Sequence, residues 1–256
     1  MMRIDFLTLF PDMCEAVMSE SIIGRARKKG AIEVYCHQIR DFAYDKHNRV
    51  DDCPFGGGMG MLLMAEPIAL CIDDLIEKLG KKPHLVYLSP QGKTLTQQRV
   101  KELAQLPELA LLCGHYEGID ERIIDRYVDE EISIGDYVLT GGELPALVLA
   151  DSVCRMVDGV LSSEECFQEE SHFHSLLEYP QYTRPALWRG VKVPDELMTG
   201  HHENVRKWRR QQSILRTFQK RPELLEKADL TKEDTEFLAK LLSKTKKTEM
   251  ENGNEA

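Results

Sequence analysis

Apolar residues recur along this chain in short runs, separated by stretches where they fall three or four positions apart. Arg3 to Leu9, Ile32 to Cys36, His84 to Ser89, Leu109 to Cys113 and Glu131 to Ile134 read as strands. Between them the spacing turns helical. A helix starts at Pro11-Asp12, a second spans Met61 to Leu79 around Pro67, and a third carries Leu95, Val100 and Leu103. The run from Gly114 to Arg122 opens another helix with carboxylates in its first turn, where the helix dipole favours them. Pro145 begins an apolar helix that reaches Val157. Strands alternating with helices predict an α/β fold with a parallel sheet, which gathers its loops along one carboxyl edge. The strands ending at Ser89, Cys113 and Ile134 all run into glycine- or proline-rich loops, so these three loops should face one site.

The densest of those loops lies within Ser133 to Pro145, where Gly135, Gly141 and Gly142 flank Tyr137 in a strand, loop and helix pattern. One glycine suffices for a plain connection, so three point to a shaped ligand pocket. Neither Gly114-x-x-x-Gly118 nor Gly141-Gly142 is a dinucleotide fingerprint, and no phosphate loop ends in lysine. P-loop kinases and standard Rossmann dehydrogenases are thereby disfavoured. Arg40 to Gly60 has neither period and ends in four glycines within five residues, as a functional or mobile loop does. Its His47 and Asp51 read equally as acid/base groups or as solvated loop residues. Asp151 and Arg155 interrupt the helix after Pro145 four residues apart. They form either an intrahelical pair or, because a guanidinium in apolar surroundings needs an anion, a functional site at Arg155.

Beyond that helix the character changes. Ser162 to His174 is acidic and aperiodic, and Tyr179 to Val193 is extended around Pro180 and Pro185. Asn204 to Arg221 is an amphipathic helix with seven Lys/Arg and no acid, and Leu224 to Leu242 supplies a last helix or two. In a chain of 256 residues with formal net charge −10, such a basic helix is either a solvated face or a phosphate- and RNA-contacting one. No apolar run suits a membrane span, and the first residues read as a strand, not a signal peptide. Seven cysteines without a Cys-x-x-Cys pair fit reduced thiols in a cytoplasmic protein.

A set of phrases, in one order, resembles bacterial tRNA (guanine-N1)-methyltransferase, the TrmD family of the SPOUT superfamily. They are Leu9-Phe10-Pro11, Arg40-Asp41-Phe42, Val50-Asp51-Asp52, Pro54-Phe55-Gly56-Gly57-Gly58, Tyr87-Leu88-Ser89-Pro90-Gln91-Gly92, Cys113-Gly114 with Tyr116 to Arg122, the stretch Ser133 to Pro145, Tyr182-Thr183-Arg184-Pro185 and Arg221 to Leu225. The family pattern has proline where this chain has Met59.

The resemblance implies a SPOUT-type parallel sheet with a deep trefoil knot, plus a small all-α C-terminal domain. Residues 1–161 would form the knotted domain, 162–174 an interdomain linker, 175–243 a helical tRNA-binding domain and 244–256 a disordered tail. It implies an obligate homodimer that methylates N1 of the guanosine immediately 3′ of the anticodon, position 37, using S-adenosylmethionine. Cofactor contact falls to Leu88, Ser89, Pro90, Gly114, Glu117, Ile134, Gly135, Asp136, Tyr137, Val138, Leu139, Gly141, Gly142 and Pro145. His47, Asp51 and the backbone of Gly58, Met59 and Gly60 would hold the target base, and Arg206, Lys207, Arg209 and Arg210 the tRNA phosphates. A need for Mg²⁺ rests on the resemblance alone.

Neutral guanine N1 carries a proton, so methylation there needs a proton acceptor and a cation near O6. The family's arginine matches Arg155, and its aspartate falls on Glu170, with Glu169 the substitute. Two other readings compete: a non-catalytic RNA-binding protein of the same fold, and a knotted methyltransferase acting on ribose or on another base.

Overall fold

The computed structural model of the chain describes residues 1–162, 167 and 170–252, with backbone alone for 244–252. The chain divides into two compact units, Met1–Glu164 and Glu165–Ala256.

In the first unit the strands are β1 (Met2–Thr8), β2 (Ile32–Gln38), β3 (Asp51–Asp52), β4 (Leu62–Leu63), β5 (His84–Thr94), β6 (Glu108–Cys113) and β7 (Glu130–Ser133). Five of them form a parallel sheet in the order β2-β1-β6-β5-β7. The helices are α1 (Pro11–Met18), α2 (Ser21–Lys28), α3 (Ala65–Leu79), α4 (Gln97–Leu103), α5 (Glu121–Tyr127) and α6 (Glu143–Cys154). Side chains alternate across each strand, and both faces are covered. Ile4, Phe6, Val86, Leu88, Leu109 and Leu111 pack with α1, α2, α4 and α6. Leu7, Leu85, Tyr87, Ala110 and Leu112 pack with α3 and α5 on the other side. Burial on both faces is why these strands read as continuous apolar runs.

Several boundaries differ from the periodicity, among them the end of the helix after Pro145, which stops at Cys154 and not at Val157. Helix α3 begins at Ala65, because Leu62 and Leu63 pair with Asp52 and Asp51 as a hairpin and Leu63 also bridges Ile119. Strand β5 does not stop at Ser89: after a bulge its pairing with β7 resumes at Lys93 and Thr94. Helix α6 begins at Glu143, which leaves Pro145 in its first turn, where an N–H has no intrahelical partner.

The second unit holds β8 (Leu187–Trp188), β9 (Val191–Lys192), α7 (His202–Lys220) and α8 (Lys232–Asn252). The expected all-α domain therefore includes a β-hairpin. Arg189 (φ 48°) and Gly190 (φ 84°) form its tip, the two positive values that a tight hairpin turn with right-handed twist requires. Helix α8 also continues to Asn252 through a segment read as disordered, since no glycine or proline interrupts it before Gly253.

One buried charge in the sheet yields a stability test. The Asp5 side chain is wholly buried, accepts hydrogen bonds from Arg3 Nε and Nη2 at 2.8 Å each, and lies 2.7 Å from His37 Nε2. Burial pushes its carboxyl up, but the bonds from Arg3 and His37 outweigh burial and hold it below the ordinary range. A carboxyl held low in the folded state adds stability that is lost as pH falls through that lowered value. Asp5→Asn is expected to cost about 3 kcal/mol at pH 7 and clearly less below about pH 4. Urea unfolding at the two pH values checks this, and an equal loss at both would contradict it.

Candidate functional site

The bulge of β5 and the loops after β6 and β7 enclose a cleft of about 440 Å³ at the carboxyl edge of the sheet. Leu88 to Gln91 come from the bulge in β5, Gly114 to Ile119 from the loop after β6, and Ser133 to Gly135 with Tyr137 to Gly142 from the loop after β7. The chain visits these three strands in order, yet β5 lies between β6 and β7 in the sheet. Neighbouring strand ends therefore deliver loops that are up to about 50 residues apart in sequence.

Close backbone approach shapes the wall. Gly142 N–H donates to Gly114 O at 2.8 Å, and His115 and Gly141 form an antiparallel bridge. At the start of α6, Glu143 is buried and accepts a 2.7 Å hydrogen bond from Thr8 Oγ1, which itself accepts from Phe10 N–H. This pair ties the last loop of the cleft to the end of β1.

The lining is acidic. Glu117, Glu121 and Glu131 face the cleft, and no lysine or arginine lines it among the described residues. Tyr87, on its floor, has its hydroxyl pushed up to about 12 by burial, then by Glu131 and Glu121, so it stays a neutral phenol. Such a cleft suits a small cationic or zwitterionic organic ligand better than a polyphosphate.

Of the cofactor residues expected from sequence, all but Asp136 line this cleft, and Asp136 is exposed beside it. Sequence reasoning missed Tyr87, Gln91, His115, Glu121 and Glu131 as lining residues, and Thr8 and Glu143 as their support. Tyr87 and Gln91 flank the Leu88-Ser89-Pro90 motif, which is a usable signal. Thr8 and Glu143 are 135 positions apart, and nothing local connects them.

The β3–β4 hairpin carries Asp51 and, on its tip, Gly58, Met59 and Gly60. It is joined to the cleft rim by Glu117 N–H to Met61 O and Leu63 N–H to Gly118 O, both 3.0 Å. His47 is exposed on the preceding loop, and its backbone N–H donates to Asp45 Oδ1. Arg155 is half-buried and caps the C-terminus of α6 in the first unit.

Glu170 belongs to the second unit, where it lines a cavity of about 380 Å³ with His174, Tyr179, His202, Arg206, Arg209 and Arg210. Its alternative, Glu169, lies outside the described residues. On α7, the Arg209 guanidinium lies 4.7 Å over the Tyr179 ring. Arg210 donates to Asp234 Oδ2 at 2.9 Å and to Asp229 O at 2.8 Å, so it also holds the helical unit together. Arg206 and Lys207 are largely exposed. Among the described residues, no group of three or more His, Cys, Asp or Glu is arranged to hold a metal ion. No described helix is long and apolar enough to cross a membrane.

A doubly covered parallel sheet whose edge loops form a glycine-walled, acidic cleft defines an α/β protein with a site of a size and charge suited to a small organic ligand. Comparison with known proteins narrows the class. The family description "tRNA (Guanine-1)-methyltransferase TrmD" matches residues 2–227. A tRNA (guanine-N(1)-)-methyltransferase of Ruminiclostridium cellulolyticum is 59% identical over 226 residues, 88% of this chain and 97% of that protein. One from Halalkalibacterium halodurans is 51% identical over 237 residues, covering 93% and 96%. The crystal structure of a tRNA (m1G37) methyltransferase from Aquifex aeolicus superposes with a TM-score of 0.72 at 41% identity, covering 90% of this chain and 97% of that one. The chain belongs to the tRNA (guanine-1)-methyltransferase family.

Proposed function

We propose that the chain transfers the methyl group of S-adenosylmethionine to N1 of the guanosine immediately 3′ of the tRNA anticodon. The observation that carries this reading is the acidic, glycine-walled cleft, in a chain 41% identical to a tRNA (m1G37) methyltransferase. The residues present fit the cofactor. Glu117, Glu121 and Glu131 offset the charge of a sulfonium and an ammonium, and Gly114, Gly141 and Gly142 expose backbone groups to a ligand. Bound there, S-adenosylmethionine supplies an electrophilic methyl group for an in-line displacement.

The remaining work falls to the chain. His47, Asp51 and the backbone of Gly58 to Gly60 hold the guanine turned out of the anticodon loop. Glu170 takes the proton from N1, and Arg155 steadies the negative charge that gathers on O6. The helical unit, through Arg206, Lys207 and Arg209 with help from Arg210, grips the tRNA phosphates.

The position of Arg155 favours a homodimer. From Pro145 at the cleft to Arg155, helix α6 advances by about 15 Å, at ~1.5 Å per residue. A second copy can supply the guanidinium that the same copy's helix carries away from its own cleft. Phe10, Met13 and Val17 on and before α1, with Leu144 and Val148 on α6, leave an exposed apolar face suited to a symmetric contact. The deep trefoil knot through the cleft loops and cytoplasmic residence belong to the same reading.

The test is incubation with labelled S-adenosylmethionine and unmodified tRNAs with or without guanosine 3′ of the anticodon, followed by nucleoside analysis. Label is expected as N1-methylguanosine in the first tRNA alone. Equal labelling of both would refute the specificity, and label on ribose or another base would favour the competing methyltransferase reading.

A further inference from the structure

The β3–β4 hairpin ends in a tip almost without side chains. Gly56, Gly57, Gly58 and Gly60 all have positive φ, at 85°, 79°, 141° and 95°. Nothing lies within 4 Å of where a Cβ on Gly56 or Gly57 would sit. The exceptions on this bare tip are Phe55 and Met59, at 102% and 94% relative exposure. Two large apolar side chains held in water on a glycine tip are a cost with no return inside this unit.

The tip is nevertheless anchored. Asp51–Leu63 and Asp52–Leu62 pair across its stalk, and Cys53 Sγ lies 3.8 Å from Met61 Sδ at its neck. Gly60 packs so closely on Glu117 of the cleft that a Cβ there would lie 2.4 Å from Glu117 Cγ. Phe55 therefore stands on a short arm fixed to the rim of the cofactor cleft.

The geometry points to Phe55 as a stacking wedge for single-stranded RNA: it occupies the gap left in the anticodon loop by the extruded guanine and stacks on the adjoining base. Met59, exposed on the same tip, adds apolar surface to that contact. This rests on the proposed methyl transfer to a flipped guanosine and adds a residue to it. Every nucleobase presents a π-face to an aromatic ring, and apolar wedges between bases stabilise unstacked nucleic acid in other settings. The glycines let the RNA backbone approach where side chains would keep it off. Continuity with Asp51 on the same hairpin, and with Glu117 in the cleft, favours RNA over a second copy of the chain as the occupant.

The test uses the full-length wild type, Phe55→Ala and Phe55→Trp. The probe is a substrate tRNA carrying 2-aminopurine in place of the base 3′ of the target guanosine, bound with S-adenosylhomocysteine. Wild type and Phe55→Trp should change the fluorescence of that base, and Phe55→Ala should not. In methyl-transfer assays Phe55→Ala should lose about ten- to a hundredfold in kcat/KM for tRNA, the range of one base stack, with cofactor affinity unchanged. Wild-type kcat/KM in Phe55→Ala, or an unaltered 2-aminopurine signal, would overturn the wedge. So would conversion of a dimer to monomers by Phe55→Ala, which would make the tip a subunit contact. If the wild type itself transfers no methyl to guanosine, the proposed function fails instead, so the two failures are separable.

Discussion

Replacing Glu170 with glutamine should slow methyl transfer in a single turnover by about a hundred- to ten-thousandfold, the usual contribution of a positioned general base. The amide keeps the size and hydrogen-bonding reach of the carboxylate but cannot take the N1 proton, so S-adenosylmethionine and tRNA should bind within a few-fold of wild type. Arg155→Ala should lose about a hundred- to a thousandfold through the same transition state, where charge gathers on O6. Because both residues act on one proton departure, the double variant should lose less than the product of the single losses. Glu169→Gln should stay near wild type. Full activity in Glu170→Gln with loss in Glu169→Gln would move the base by one residue, and full activity in both would sink the carboxylate mechanism. Rapid-quench assays with saturating cofactor give the rate, and filter binding gives tRNA affinity.

The second large effect is expected at Gly142. Its backbone is ordinary, with φ −82° and ψ −7°, so alanine meets no conformational penalty there. The obstacle is contact. A Cβ would lie 2.8 Å from both Cys113 Cα and Gly114 N and 3.1 Å from Cys113 C. These are backbone atoms at the end of β6 and cannot rotate away as a side chain would. Gly142→Ala must push the loop and the start of α6 off the sheet, breaking the bond from Gly142 N–H to Gly114 O and straining the Thr8–Glu143 contact. Overpacking of this kind costs about 1–3 kcal/mol, and the displaced wall should weaken S-adenosylmethionine binding by about tenfold or more. Gly30→Ala is the contrasting control. Gly30 has φ 74° with open space around it, so alanine there costs about 1–2 kcal/mol through its left-handed backbone alone and should leave cofactor affinity untouched. Isothermal titration with cofactor separates the two, and equal affinities in both variants would show that the close approach at Gly142 does not shape the site.

Much of the lining of the cleft was legible because its signals are local. Ser89-Pro90, Gly114 and Gly135 each sit where an apolar run ends, and a parallel sheet sends such ends to one edge. The acidic character of the cleft was not legible: Glu121 and Glu131 look like ordinary surface carboxylates until the loops converge. Helix α3 shows the same limit from another side. Leu62 and Leu63 fit its apolar spacing, and the pairing with Asp51 and Asp52 removes them from it.

The sequence by itself determined the five strands of the main sheet, most of the helices, the glycine- or proline-rich ends of three strands, the basic helix α7 and the family. Those properties follow from residue type, short-range periodicity and ordered motifs, which act over a few residues at a time. Tertiary structure alone decided the strand order β2-β1-β6-β5-β7, the resumption of β5 after its bulge and the mooring of the hairpin tip to Glu117. It also decided the bond from Thr8 to Glu143 across 135 residues. These contacts depend on which apolar faces and strand edges bury one another, and partners so far apart leave no local trace in the residues that make them.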